Sequence, residues 1–133
     1  MANIVKNRVT VIDASPEEIT KIFEVFKQHI PWKNTITQVD NTLLFETAWS
    51  NLKSIIIENI SYTFNTELHY TFAEESALWH IGDCICKNGK FTHVEQPATQ
   101  SLRAYEIFFE MWPGWKELYI FDGTIYQRDW DKE

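Results

Sequence analysis

Apolar and polar residues alternate along residues 4–12 and, more strongly, along residues 66–73. A period of two is the pattern of a β-strand with one buried face, because successive side chains of a strand point to opposite sides of its sheet. The same kind of pattern predicts further strands, at residues 35–39, 42–48, 77–87 and 91–94.

The residues after the first predicted strand have the periodicity of a helix. We predict a helix over residues 16–29, where apolar residues recur every three or four positions. Its start carries three helix signals: Ser15 as the N-cap, Pro16 at the first helical position and Glu18 as the partner in a capping box.

Two more helices and a hairpin follow in the same way. Apolar spacing predicts a second helix over 51–62, with Ser50 as its cap. A third helix is predicted after Pro97, and residues 116–121 and 124–128 are interpreted as a final hairpin.

The order strand, helix, strand, strand, helix, strand is that of a split βαβ unit. We therefore predict an α+β, ferredoxin-like antiparallel sheet with two helices on one face, plus a C-terminal helix and hairpin. The 133 residues suit one domain, with a ferredoxin-like core over about 2–93 and an extension over about 94–133. We expect one core beneath the two helices, formed by Phe23, Phe26, Phe45, Trp49, Ile56, Tyr70 and Phe72. Buried positions are also expected for Trp79, Trp112 and Trp115.

The net charge of the chain argues against nucleic acid as its partner. With 12 basic and 19 acidic residues the net charge is −7, the opposite sign to that of most proteins that bind a phosphate backbone. The start of the chain has no apolar run typical of a signal peptide, and no stretch of about 18 apolar residues indicates a membrane span. We expect a soluble, cytoplasmic protein with no membrane contact and no direct binding to nucleic acid.

The cysteines and histidines offer little chemistry. Cys84 and Cys86 lie two apart in one predicted strand, a spacing that suits neither a disulfide nor, with His69 and His80, tetrahedral zinc. The carboxylate of Asp83 opposes a reactive thiolate beside it. Since the sequence also has no nucleophile elbow, phosphate loop or dinucleotide fingerprint, we expect no metal, no cofactor and no enzymatic activity.

A nucleic-acid accessory is the alternative, because sheets of this topology bind RNA by stacking bases on exposed aromatic residues. The sheet face away from the helices is instead predicted to carry polar side chains of mixed charge, namely Lys6, Arg8, Glu46, Glu67 and His69. This composition favours a protein partner over RNA.

Several short phrases are similar to one known family. These are Met1-Ala2-Asn3 with Asn7, the run from Phe45 to Ser50 that reads Phe-Glu-Thr-Ala-Trp-Ser, and Tyr70 followed by Ala73-Glu74. Over roughly residues 2–90 the chain resembles the YubB-like ferredoxin-fold family, which is carried on plasmids and prophages and has no established function. The resemblance implies the fold and a mobile-element origin, and it assigns no catalytic residue.

The leading hypothesis is a small acidic, non-enzymatic protein of a mobile genetic element that docks onto a host or competing protein, such as a nucleic-acid-targeting defence system whose basic groove it would occupy and inhibit. Acidic side chains can occupy such a groove through the same electrostatic attraction that draws phosphate to it. The candidate contact residues are the acids around one predicted hairpin and two tryptophans outside the predicted core: Glu74, Glu75, Asp83, Trp32 and Trp130.

Overall fold

The computed structural model describes residues 3–75 and 80–132. Its regular elements in chain order are β1 (Ile4–Ile12), α1 (Pro16–Gln28), β2 (Thr37–Val39), β3 (Thr42–Ala48), α2 (Ser54–Thr63), β4 (Glu67–Glu74), β5 (Ile81–Lys87), β6 (Lys90–Glu95), α3 (Leu102–Met111), β7 (Tyr119–Phe121) and β8 (Tyr126–Arg128). Three short 3₁₀ helices lie at Lys33–Thr35, Pro113–Leu118 and Trp130–Lys132.

Six strands form one sheet in the order β2-β3-β1-β4-β5-β6, and every neighbouring pair is antiparallel. The first four strands in this order, with α1 and α2 as their connections, have the ferredoxin-like arrangement. The predicted fold class is confirmed. The predicted strand at 77–87 is observed from Ile81, and residues 76–79 lie outside the described part of the chain.

The first helix begins as its capping signals predict. The Ser15 hydroxyl accepts the Glu18 backbone N–H at 3.2 Å, and Pro16 occupies the first turn. Together with α2, this helix covers one face of the sheet and closes the main core. Its fully buried members include Val5, Val9, Phe23, Phe26, Leu43, Phe45, Ile57, Leu68 and Tyr70.

The second helix starts later than predicted. Residues 51–53 stay outside it, and Lys53 is extended with a ψ of 138°. The two residues before it are held against the sheet: the Leu52 N–H donates to the Tyr70 hydroxyl at 3.0 Å, and the Asn51 N–H to Nε2 of His80 at 3.0 Å. Ser50 is therefore not the cap; Lys53 holds that position without a side-chain hydrogen bond.

Two members of the predicted core lie elsewhere. Trp49 is 62% exposed, because the chain turns through a positive φ of 68° there as it leaves β3. The later start of α2 places Ile57 in the core, while Ile56 is half-buried at its edge. The prediction for Trp79 falls outside the described residues.

A second core lies on the opposite face of the sheet. It packs α3 and the β7–β8 hairpin against Ala73 and Ile81, and its members include Ala104, Tyr105, Ile107, Phe108 and Phe109. The indole Nε1 of Trp112 donates to the Ala73 carbonyl at 2.9 Å. Trp112 and Trp115 are half-buried at the edge of this core.

The third helix leaves only part of the polar sheet face open. Arg8 forms an ion pair with Glu110 of α3 at 2.6 Å, and Lys6 lies 4.2 Å from the ring centroid of Trp112. None of the helices in the described residues has the length and apolarity that a membrane crossing requires.

Candidate functional site

A groove of about 800 Å³ runs between the end of β4, helix α3 and the C-terminal hairpin. Half of its lining residues are aromatic, and the lining comes from four separate parts of the chain: Glu75, Gln100, Tyr105, Trp115, Tyr119, Ile125, Tyr126, Gln127, Arg128 and Trp130. A concave, largely apolar surface with a few polar groups is the usual form of a binding site.

Packing of aromatic rings holds the walls of the groove. The ring of Tyr105 on α3 lies 5.4 Å from that of Tyr119 and 5.3 Å from that of Tyr126, and Phe109 lies 5.0 Å from Tyr126. Ring pairs at these centroid distances, tilted or edge-to-face, attract each other. The hairpin is thereby attached to α3.

A tight turn shapes the tip of the hairpin. The Asp122 carboxylate accepts the backbone N–H groups of Thr124 at 2.8 Å and Ile125 at 2.9 Å, and Gly123 adopts a φ of 98°. The N–H of Ile125 and then that of Thr124 lower the pKa of Asp122, so its negative charge is retained at the tip.

The guanidinium of Arg128 lies among three of the groove's rings. Its Cζ is 5.2 Å from the centroid of Trp115, 5.7 Å from that of Tyr119 and 5.2 Å from that of Trp130. Cations at such distances are attracted by the negative faces of aromatic rings. The groove therefore already holds one cation of its own chain.

Large apolar side chains of this region face solvent. Trp130 is 70% exposed, and Ile120, Phe121 and Ile125 are each about half exposed. Grouped exposure of this kind is typical of a surface that binds another protein.

Two of the five predicted contact residues meet at this groove. Glu75 follows β4 and lines one side, while Trp130 lies at the other end of the lining. Glu75 is positioned by its backbone N–H, which donates to the Ile4 carbonyl at 3.0 Å.

Glu74, a predicted contact residue beside the hairpin, is buried and is not available to a partner. β4 continues to Glu74, which is opposite Val5 of β1 and is 2% exposed. Since alternate residues of β4 face the helices, this carboxyl points into the molecule, and its backbone N–H donates to the His80 carbonyl at 2.8 Å.

Asp83 and Trp32 lie away from the groove. Asp83 on β5 accepts the Thr71 hydroxyl at 2.8 Å and forms an ion pair with Arg103 at 3.3 Å, which attaches α3 to the sheet. Trp32 is half-buried, and its carbonyl accepts the Thr35 hydroxyl at 2.7 Å.

A buried polar network explains part of the Phe-Glu-Thr-Ala-Trp-Ser phrase. The Tyr70 hydroxyl donates to Oδ1 of Asn7, and Nδ2 of Asn7 donates to the Thr47 hydroxyl at 3.0 Å. That hydroxyl donates in turn to the Ser50 carbonyl at 2.6 Å. The network fixes the loop that carries Trp49, and burial raises the pKa of Tyr70 so that its hydroxyl keeps its proton.

The residues considered for a metal or a nucleophile do not converge. His69 lies beside Glu67, with Nε2 2.9 Å from a carboxylate oxygen. Cys84 and Cys86 are free and buried. Burial, with smaller effects of Asp83 and Cys86, raises the pKa of Cys84 to about 12, so this thiol is protonated and poorly nucleophilic near neutral pH.

Asp83, His93 and Glu95 bring ligand atoms within 4.8 Å of one another. The guanidinium of Arg103 already pairs with both carboxylates of this group, at 3.3 Å for Asp83 and 2.9 Å for Glu95. Glu95 raises the pKa of Arg103, which stays charged there. The cluster is thus an internal ion-pair network.

Sequence reasoning missed Tyr105, Tyr119, Tyr126 and Arg128 as parts of a site. The available signal was the crowding of aromatic residues in the last third of the chain. There are more of them than the buried face of one short amphipathic helix can accommodate.

A family model described as the ferredoxin-like domain in Api92-like protein matches residues 29–112. No curated protein and no solved structure is significantly similar to the chain.

Proposed function

This chain belongs to the family described as the ferredoxin-like domain in Api92-like protein, and we propose that it is a small non-enzymatic module that binds another protein. The observation that carries the proposal is the aromatic groove with Glu75 in its lining and Trp130 exposed beside it. Exposed tryptophans in such settings often supply much of the binding energy of a protein interface.

The partner proposed is a protein with a basic surface. The chain has a net charge of −7, and Glu75 and Asp122 place carboxylates along the groove and at the tip of the adjacent hairpin. Attraction between surfaces of opposite charge speeds association and suppresses partners of like charge.

The biological setting proposed is a mobile genetic element. The resemblance of residues 2–90 to YubB-like proteins of plasmids and prophages supports it. A nucleic-acid-targeting defence system of the host fits the proposed partner, because such a machine presents a basic groove that an acidic protein can occupy. On this proposal the protein acts in the cytoplasm, where that machine is found.

The open part of the sheet gives less support to direct binding of nucleic acid. A cleft of about 640 Å³ remains there, and its two cations, Lys6 and Arg8, already contact Trp112 and Glu110. The aromatic residue in its lining, Phe45, is buried in the main core and offers no face for base stacking.

Capture of partners from host lysate, with and without nuclease, tests the proposal. We expect a protein partner that survives nuclease, that is lost with Trp130→Ala and that is kept with Tyr62→Ala, which changes an aromatic residue 71% exposed on α2.

Glu75→Gln should slow association at low salt more than Glu24→Gln, an equal charge change on α1. Capture of nucleic acid alone, or equal capture by all variants, would reject the proposed function.

A further inference from the structure

Arg128 shows what kind of group the aromatic groove accepts. Three rings surround its guanidinium, and they come from the 3₁₀ helix Pro113–Leu118, from β7 and from the 3₁₀ helix Trp130–Lys132. Flat aromatic faces suit a planar, delocalised cation better than a compact ammonium group, because the guanidinium can stack on them.

A cation from another protein can reach the same rings. Trp130 is largely exposed, so the ring cluster is open to solvent on one side. The groove of about 800 Å³ extends from this cluster to Glu75. The carboxylate of Glu75 gives this groove negative charge, which attracts a cationic side chain of a partner.

We propose that this groove binds an arginine side chain of the partner protein, which takes the place of Arg128 between Trp115 and Trp130, while Glu75 in the same lining adds the negative charge that attracts it. The inference rests on the proposed function and specifies its chemistry. Arg128 of the chain itself competes for the same rings. Only a basic partner therefore binds strongly enough to displace it.

The direct test uses the full-length protein and a six-residue oligo-arginine peptide, with oligo-lysine of equal length for comparison. The indole N–H signals of the six tryptophans are followed by NMR and assigned by single substitutions. We expect the signals of Trp115 and Trp130 to shift with oligo-arginine, while that of Trp49, exposed at the β3–α2 loop, stays in place. Absence of shifts at Trp115 and Trp130, or equal binding of the two peptides, would overturn the inference.

Substitution of the resident cation gives a second test. Arg128→Met should tighten oligo-arginine binding about fivefold more than Lys116→Met, because both remove one charge but only the former vacates the rings. Trp130→Ala should weaken binding about fivefold relative to Tyr62→Ala. If the Arg128→Met and Lys116→Met variants bind oligo-arginine with equal affinity, net charge alone sets the affinity. That result would refute the proposal that a partner's arginine replaces Arg128.

The proposed function and the arginine site can be refuted separately. Should Arg128→Met disturb the hairpin, the indole shifts of the unaltered protein still decide the matter. A protein partner that is lost with Trp130→Ala, together with no arginine-specific shift, would leave the proposed function standing and remove this inference.

Discussion

The Tyr70 hydroxyl joins the centre of the sheet to the loop before α2, and Tyr70→Phe removes only that group. In the native fold it accepts the Leu52 N–H at 3.0 Å and donates to Oδ1 of Asn7. All three residues are buried; Asn7 is 1% exposed. Loss of the hydroxyl therefore leaves a backbone donor and an amide oxygen without these partners in a place where water is excluded.

The magnitude follows from these two groups. A buried hydrogen bond contributes about 1 kcal/mol net, and each polar group left without a partner adds a desolvation cost of about 1–3 kcal/mol. We expect Tyr70→Phe to lower the free energy of unfolding by about 2–4 kcal/mol. For a chain of 133 residues this corresponds to a fall in the melting temperature of about 7–14 °C.

Urea unfolding, followed by circular dichroism, measures the effect. Tyr62→Phe is the matched control, because its hydroxyl is on a side chain 71% exposed and its loss should change stability by under about 0.5 kcal/mol. A double-mutant cycle with Asn7→Ala should show a coupling of about 1 kcal/mol between the two side chains. A loss below about 0.5 kcal/mol for Tyr70→Phe would refute the assignment of the network as the support of this loop.

Three further predictions address single residues. Trp49→Gly should raise the free energy of unfolding by about 1 kcal/mol in urea titrations, because the φ of 68° strains any residue with a Cβ; a decrease would contradict that strain. Gly82→Ala should cost about 1–3 kcal/mol, because a Cβ there would lie 2.4 Å from Cζ of Phe72, and thermal melting that matches the unaltered protein would mean that this ring moves aside freely. Burial lowers the pKa of His80 from its ordinary 6.5, so the unfolded chain takes up this proton first and stability is lost as the pH falls through about 6.5. The fall in melting temperature between pH 7.5 and 5.5 should thus be smaller in His80→Gln than in His29→Gln, and an equal fall in both would exclude His80 as its source.

Local patterns determined the strands and the first helix. The alternation over residues 4–12 matches β1 at Ile4–Ile12, and the capping signals at Ser15 and Pro16 match the start of α1. Both features depend on interactions within a few residues of the chain, so the sequence alone contains their cause. The order of these elements was enough to predict the ferredoxin-like fold class.

The start of α2 and the exposure of Trp49 were decided by contacts between distant residues. Leu52 and Asn51 donate their N–H groups to Tyr70 and His80, which lie on or near strands formed later in the chain. These bonds hold residues 51 and 52 against strands that are distant in sequence, so local propensity alone predicts the wrong boundary.

The candidate site was likewise assembled by the fold. Sequence reasoning singled out Glu75 and Trp130 for their charge and position, but it could not place them at one groove or separate Glu75 from its buried neighbour Glu74. Successive residues of a strand point to opposite faces of its sheet. To apply this rule to the two adjacent carboxylates, one must know the last residue of the strand, and local sequence does not give it. The packing of α3 on the sheet then brings Trp115, Tyr119 and Arg128 to the face on which Glu75 lies, an arrangement produced by tertiary burial of aromatic surface rather than by any local pattern.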